Sequence, residues 1–235
     1  MAIEWPAYRD SVFNFGLDVD RVLSFCFTNE ADMTAQMPAD KTARLRAVVE
    51  GKVTLEAPQS ESGQTGLASL RVHYKLCTDS YDNHLAVENS SFELKADLER
   101  APIIRWDYDR EARSKPSSHV QVTAHRGALS HLLSQLHHKT PHSIESLHIP
   151  TGGGRFRPCL EDIAEFLISD CGFVGRDGWS DVVRRGRAKW RRLQIRSAVR
   201  DAPGEAAAAL RSLGYEVHPP DGVELPERAD RLTAW

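Results

Sequence analysis

The sequence predicts an α+β protein in which an N-terminal antiparallel β-meander of about five strands packs against a C-terminal helical layer. Three observations lead there. From residue 43 to residue 124 apolar and polar side chains alternate with a period of two, in segments separated only by turn chemistry. From residue 129 onward the apolar residues recur at helical spacing instead. Between the two regimes, residues 119–168 hold seven of the ten histidines, at 119, 125, 131, 137, 138, 142 and 148. The division is therefore a sheet region, 1–126, and a helical region, 127–235, within what reads as one continuous domain. At 235 residues, with 41% hydrophobic and 27% charged residues, the chain can bury a substantial core unaided.

The first segment, residues 8–25, mixes Val12, Phe13, Phe15, Leu17, Val19, Val22, Leu23 and Phe25. Asp18 and Asp20 cap a short helix through residues 21–25, and the rest covers one side of the sheet. The first strand sets Leu45, Ala47 and Val49 against Arg44, Arg46 and Val48, and the alternation resumes after Gly51 with Val53, Leu55 and Ala57. Residues 58–66 are a loop by composition. Leu70, Val72, Tyr74 and Leu76 oppose Arg71, His73, Lys75 and Cys77 on the next strand, and residues 79–83 supply a turn. Phe92, Leu94, Ala96 and Leu98 form the following apolar row, then Ile104, Trp106 and Tyr108. The last strand turns Val120, Val122 and Ala124 inward, leaving His119, Gln121, Thr123 and His125 on the polar face. Successive strands joined by turns describe an antiparallel sheet with one wet face.

The helical region opens with Leu129, Leu132, Leu133 and Leu136, whose C-terminal histidines suit the negative end of a helix. Pro158 suits the first turn of a helix that carries Leu160, Ile163, Ala164, Leu167 and Ile168 on one face, through residue 168, with Glu161 and Asp162 near its N-terminus. Residues 178–200 form a basic helix in which Trp179, Val182, Val183, Trp190 and Leu193 share a face. Asp201-Ala-Pro-Gly204 ends it, and an alanine-rich helix over 205–213 turns Leu210 and Leu213 inward before Gly214 caps it.

Composition excludes several function classes. No apolar run approaches the ~20 residues that cross a bilayer, and the N-terminus lacks a basic flank before an apolar core, so no membrane partner is expected and the expected location is the cytoplasm. Cys26, Cys77, Cys159 and Cys171 are too scattered for a paired-thiol zinc motif and read as small buried hydrophobes. No metal and no cofactor is implied.

Three groups of residues are left as candidates for chemistry. His119 and His125 are the candidate catalytic residues, since neutral imidazole beside a fixed cation performs general acid–base cleavage of RNA without metal. Six residues apart on one strand they lie about 20 Å from one another, so they cannot act on one bond or ligate one metal together, and a metal site would have to recruit one of them with a residue from elsewhere, such as His73, His84 or His148. Arg155 and Arg157 flank a glycine-rich loop that leads to a helix N-terminus, a candidate phosphate site, although the lysine–hydroxyl pair of a P-loop is missing and two acids follow. Arg184, Arg185, Arg187, Lys189, Arg191, Arg192, Arg196 and Arg200 carry eight positive charges with no acid among them. Like charges at i,i+4 repel, which calls for a compensating anion. Nucleic acid would use Arg184, Arg185, Lys189, Arg192 and Arg196; the other compensation is pairing with Glu161, Asp162, Glu165 and Asp170 of the same chain.

The strand with Trp106-Asp-Tyr108-Asp, the next strand with its spaced histidines, and His148-Ile-Pro leading into Leu160-Glu-Asp-Ile-Ala-Glu-Phe-Leu resemble small uncharacterised bacterial proteins, among them the TumE-type toxins of toxin–antitoxin pairs. The resemblance covers about residues 102–170. That family often shows a tight His-x-His where this strand reads His119-Val-Gln-Val, and no residue role is carried across. Two functions of different class are thus expected: a polyanion-binding protein, which the resemblance would set in a bacterial toxin–antitoxin or defence system, with a metal-independent ribonuclease-like toxin as its catalytic form; or a non-catalytic assembly module whose basic helix meets an acidic partner protein.

Overall fold

A computed structural model describes residues 3–37, 45–58, 66–124, 139–151, 153–219, 221 and 225–233, with positions 127, 130 and 134 between. It is α+β, as expected, with a fully antiparallel sheet in which every neighbour in space is a neighbour in sequence. Six strands of five or more residues, β1 (Asp32–Gln36), β2 (Arg46–Glu56), β3 (Gly66–Thr78), β4 (Leu85–Ala96), β5 (Ile104–Asp109) and β6 (Ser118–Val122), are followed by the two-residue β7 (Ile149–Pro150). The alternation that defined β2, β3 and β4 is the burial pattern observed, with Ala47, Val49, Val53, Leu55, Leu70, Val72, Tyr74, Leu76, Phe92 and Leu94 buried; in β5 Tyr108 is buried, while Ile104 and Trp106 are partly buried against the core.

The sequence reading departs from this structure at the ends of elements. The N-terminal segment covers one side of the sheet as expected, but as one 22-residue helix, α1 (Trp5–Cys26), instead of a short one, with Pro6 in its first turn, where its missing N–H costs nothing. Tyr8, Val12, Val19, Val22, Leu23 and Cys26 are its buried stripe; Phe13, Leu17 and Phe25 lie on its exposed side, and their bulk had obscured the period. The sheet region therefore begins with a helix. Strand β4 starts seven residues earlier than Phe92, and Leu98, placed in its apolar row, lies beyond its end and is exposed. Strand β6 stops at Val122, so Ala124 is exposed rather than inward, and His125 falls outside the described residues, as do the leucines of the helix expected from 129 to 136.

Helix α1 lies across the sheet at Gly51. A Cβ there would come within 2.6–2.9 Å of Met33, Leu23 and Val72, so only glycine lets the helix approach this closely. Beside α1 lies α3 (Leu160–Ser169), which follows the single turn α2 (Gly153–Phe156) and buries Leu160, Ile163, Ala164 and Leu167 in the same core. Its N-cap is Cys159, closed by a reciprocal bond with Asp162, so Pro158 stands just outside the helix instead of in its first turn.

The basic helix α4 (Trp179–Asp201) packs on α1 and α3 as an outer layer and buries only Val183 and Asp201. Its start is pinned by Arg176, which donates to the carbonyls of Phe27 and Thr28 at the end of α1, and by Gly178 in the left-handed conformation. Helix α5 (Pro203–Ser212) follows; Leu213 just beyond it is 74% exposed and Leu210 40%, so neither is inward as the spacing suggested. Gly214 takes φ +89° as the expected cap. A last turn, α6 (Ala229–Leu232), ends the described chain. No helix among the described residues is long and apolar enough to cross a membrane.

Candidate functional site

Two surfaces hold the candidate residues, and they lie on opposite sides of the sheet's core. On the outer face, strand register lines up Thr34, Glu50, His73, Ser91, Asp107 and His119 across the meander. Only at its β6 end does this row become enclosed. There Asp107 accepts a hydrogen bond from Ser91 Oγ at 2.7 Å and one from Arg105 Nε at 2.7 Å. Arg105 also donates to Gln121, which donates in turn to the Glu145 carbonyl at 2.7 Å. The 3-10 turn Ile144–Ser146 is thereby tied down beside β6.

His119 is 1% exposed, so the solvated polar face expected of it is not what the structure builds. Its Nδ1 donates to the Pro116 carbonyl at 2.9 Å, which sets the Nδ1–H tautomer. Its Nε2 has no hydrogen-bond partner among the described residues and lies 3.7 Å from Asp107 Oδ2. The ring of His148 stands edge-on to it at 4.6 Å between centroids. Burial pushes His119 below the usual histidine value, and Lys115 and His148 press the same way against the Pro116 carbonyl and Asp107. His148 is lowered by burial and by Lys115. The arrangement is a buried imidazole whose Nδ1 is engaged and whose Nε2 faces a carboxylate. Of the partners considered for it, His148 meets it; His73 instead faces Glu50 at 3.6 Å and His84 is exposed. Among the described residues no three His, Cys, Asp or Glu side chains are grouped to hold a metal ion.

The glycine-loop arginines are both engaged. Arg155 pairs with Asp201 at 2.7 Å. Arg157 donates to the Gly154 carbonyl and lays its guanidinium 3.8 Å over the Tyr108 ring, with Trp190 at 5.4 Å on the α4 side. Burial lowers its pKa, and the two aromatic faces stand in for a counter-ion. With Glu161 and Asp162 in the first turn of α3, the loop is a joint between sheet and helices and offers no anion cradle.

On α4 the eight charges divide. Arg187 reaches Asp162 at 2.6 Å and also contacts Glu165, so for this residue the internal pairing with the acidic helix is what the structure builds. Lys189 pairs with Asp18 of α1, and Arg184 with Asp181 of its own first turn. Arg185, Arg191, Arg192 and Arg196 are exposed, with no carboxylate in contact among the described residues, and Arg200 reaches only the Ser197 hydroxyl, at 3.2 Å. Arg185, Lys189, Arg192 and Arg196 follow one another at i, i+4, i+7 and i+11, a single stripe about 16 Å long at ~1.5 Å per residue. Leu193, Ile195 and Val199 beside them are 49%, 62% and 46% exposed.

Of the cysteines, Cys26, Cys77 and Cys159 are buried as expected and Cys171 is exposed. Burial pushes the Cys26 thiol up to about 12, so it is inert. The convergence of Ser91 and His148 on the Asp107–His119 pair was not legible in the sequence, because strand register and the path of residues 139–148 decide it. No family model, no curated protein and no solved structure matches this chain.

Proposed function

We propose that the protein binds a polyanion, nucleic acid in the first place, along the exposed stripe of α4. One observation carries this reading. On a helix where Arg184, Arg187 and Lys189 find carboxylates of the same chain, Arg185, Arg192 and Arg196 find none among the described residues and stand in solvent on one face. They stand about 10 Å and 6 Å apart along the axis, a row that can follow the phosphates of one strand, and guanidinium is the fork that pairs with phosphate best. A setting in a toxin–antitoxin or defence system accords with the resemblance over residues 102–170.

Binding, not cleavage, is the reading favoured here. His119 is 1% exposed with the His148 ring against it, and α4 packs outside α1 and α3, which lie on the other side of the sheet, so a strand lying on the stripe does not reach the imidazole. The exposure of Leu193, Ile195 and Val199 favours a second reading, an acidic partner protein with an apolar stripe of its own.

A salt-titrated binding assay with single-stranded RNA and DNA tests the proposal. Wild-type affinity should fall steeply with salt, and Arg185→Gln, Arg192→Gln and Arg196→Gln together should remove most binding and flatten the slope by about 2, at ~0.7 per phosphate released. Absence of salt-dependent binding in the wild type would leave the acidic-protein reading in its place.

A further inference from the structure

Between α1, α3 and α4 lies a cavity of about 410 Å³, within the size range of small-molecule sites. Three features of its lining are unlike an accidental gap. Its walls are apolar and aromatic: Phe15, Val19, Val22, Tyr74, Trp190 and Leu193. Its floor is Glu161, a partly buried carboxyl group with no basic side chain in salt-bridge contact among the described residues, since Arg187 beside it is taken by Asp162 and Glu165. Its rim is basic, with Arg21 and Lys189 joined through Asp18 and Arg185 meeting no carboxylate among the described residues.

The position of Glu161 is built into the chain. A Cβ on Gly186 would fall 2.2 Å from Glu161 Oε1, so α4 carries glycine where the carboxyl group lies. Burial raises the Glu161 pKa even though its own backbone N–H and the Cys159 side chain bond to it and Arg187 stands nearby, so these contacts do not replace all the water it has lost. Such a group is satisfied by a ligand that brings N–H donors to it. A simple amine would satisfy it but would have to pass Arg21, Arg185 and Lys189. A ligand suited to the whole cavity has a flat face for Trp190 and Phe15, an adjacent pair of N–H donors for the carboxylate, and an anionic group for the rim.

The geometry points to the cavity between α1, α3 and α4 as a guanine-nucleotide site, with the base's N–H and amino donors on Glu161, its face on the aromatic wall and its phosphate at Arg185. Guanine presents two donors side by side; adenine presents one donor beside an acceptor, which would oppose the carboxylate. The inference goes beyond strand binding by α4 and shares only Arg185 and Lys189 with it.

Calorimetric titration of the whole chain with GMP, AMP and guanosine tests it. GMP should bind saturably and AMP at least about tenfold more weakly, the range expected when a buried acceptor loses a donor. Glu161→Gln should erase the preference for GMP over AMP. Gly186→Ala, which displaces the carboxyl group without removing it, should do the same, so that a folding failure of one variant leaves the other to decide. Arg185→Gln should weaken GMP and leave guanosine unchanged. Equal affinity for GMP and AMP, no saturable GMP binding, or a preference that survives both Glu161→Gln and Gly186→Ala would overturn the assignment. Salt-dependent strand binding that persists in Glu161→Gln separates failure here from failure of the polyanion reading.

Discussion

Helices α1 and α4 are nearly equal in length, 22 and 23 residues, and are held by opposite means. Helix α1 buries six residues and lies so close to the sheet that Gly51 must be glycine. Helix α4 buries one apolar side chain, Val183, and is fastened by Arg187, Lys189 and the aromatic bridge from Arg157 to Trp190. A helix anchored by apolar contact gives its buried stripe to the core. One anchored by a few polar contacts on one side leaves the remainder of its circumference in solvent, and α4 places there arginines that meet no carboxylate among the described residues.

The comparison predicts a descending series of effects. Leu23→Ala in α1 should be the most damaging, lowering stability by about 2–5 kcal/mol through lost burial and the cavity left beneath the helix. Chemical denaturation checks it, and a loss under 1 kcal/mol would mean that α1 is not the anchored helix of the two. Arg187→Ala comes next, at about 1–2 kcal/mol: its side chain is 18% exposed and removing it strands two carboxylates, but Glu165 is 44% exposed and well screened. The triple change at Arg185, Arg192 and Arg196 should come last among the substitutions, each position contributing under about 0.5 kcal/mol in either direction. If thermal melting instead showed a large destabilisation, those arginines would be structural and the contrast between the helices would collapse.

The smallest effect belongs to pH. His119 and His148 both have folded pKa values below the ordinary histidine value, so the unfolded chain takes up protons before the folded one. Their contribution is fully present above about pH 6.5 and is lost as pH falls from there through the depressed folded values, at no more than about 1.4 kcal/mol per histidine per pH unit. Melting temperature followed from pH 7.5 to 5 should decline, and His119→Asn, which keeps a donor for Pro116 and does not titrate, should decline less. A variant curve parallel to the wild type would show that His119 is not the group responsible.

Much of the fold was legible in the sequence because it rests on local periodicity. Alternation at 47–55, 70–76 and 104–108 specified strands whose buried face follows from a period of two, and Leu160, Ile163, Ala164 and Leu167 specified a helix with one apolar side. The clustering of positive charge on residues 184–200 was legible as well. What no local pattern carries is the pairing of distant residues. Whether an arginine on α4 is free or bound depends on how far α1 and α3 project their acids, so Arg187 and Arg192, alike in sequence, differ in the structure. Strand register, set by the whole meander, placed Ser91, Asp107 and His119 in one row, and the return of residues 139–150 across that row turned a histidine on a polar face into a buried one. Sequence determines which face of each element is apolar, because that is a property of consecutive residues; tertiary packing decides which polar groups lose water and which find partners, because both depend on what another part of the chain brings within about 4 Å.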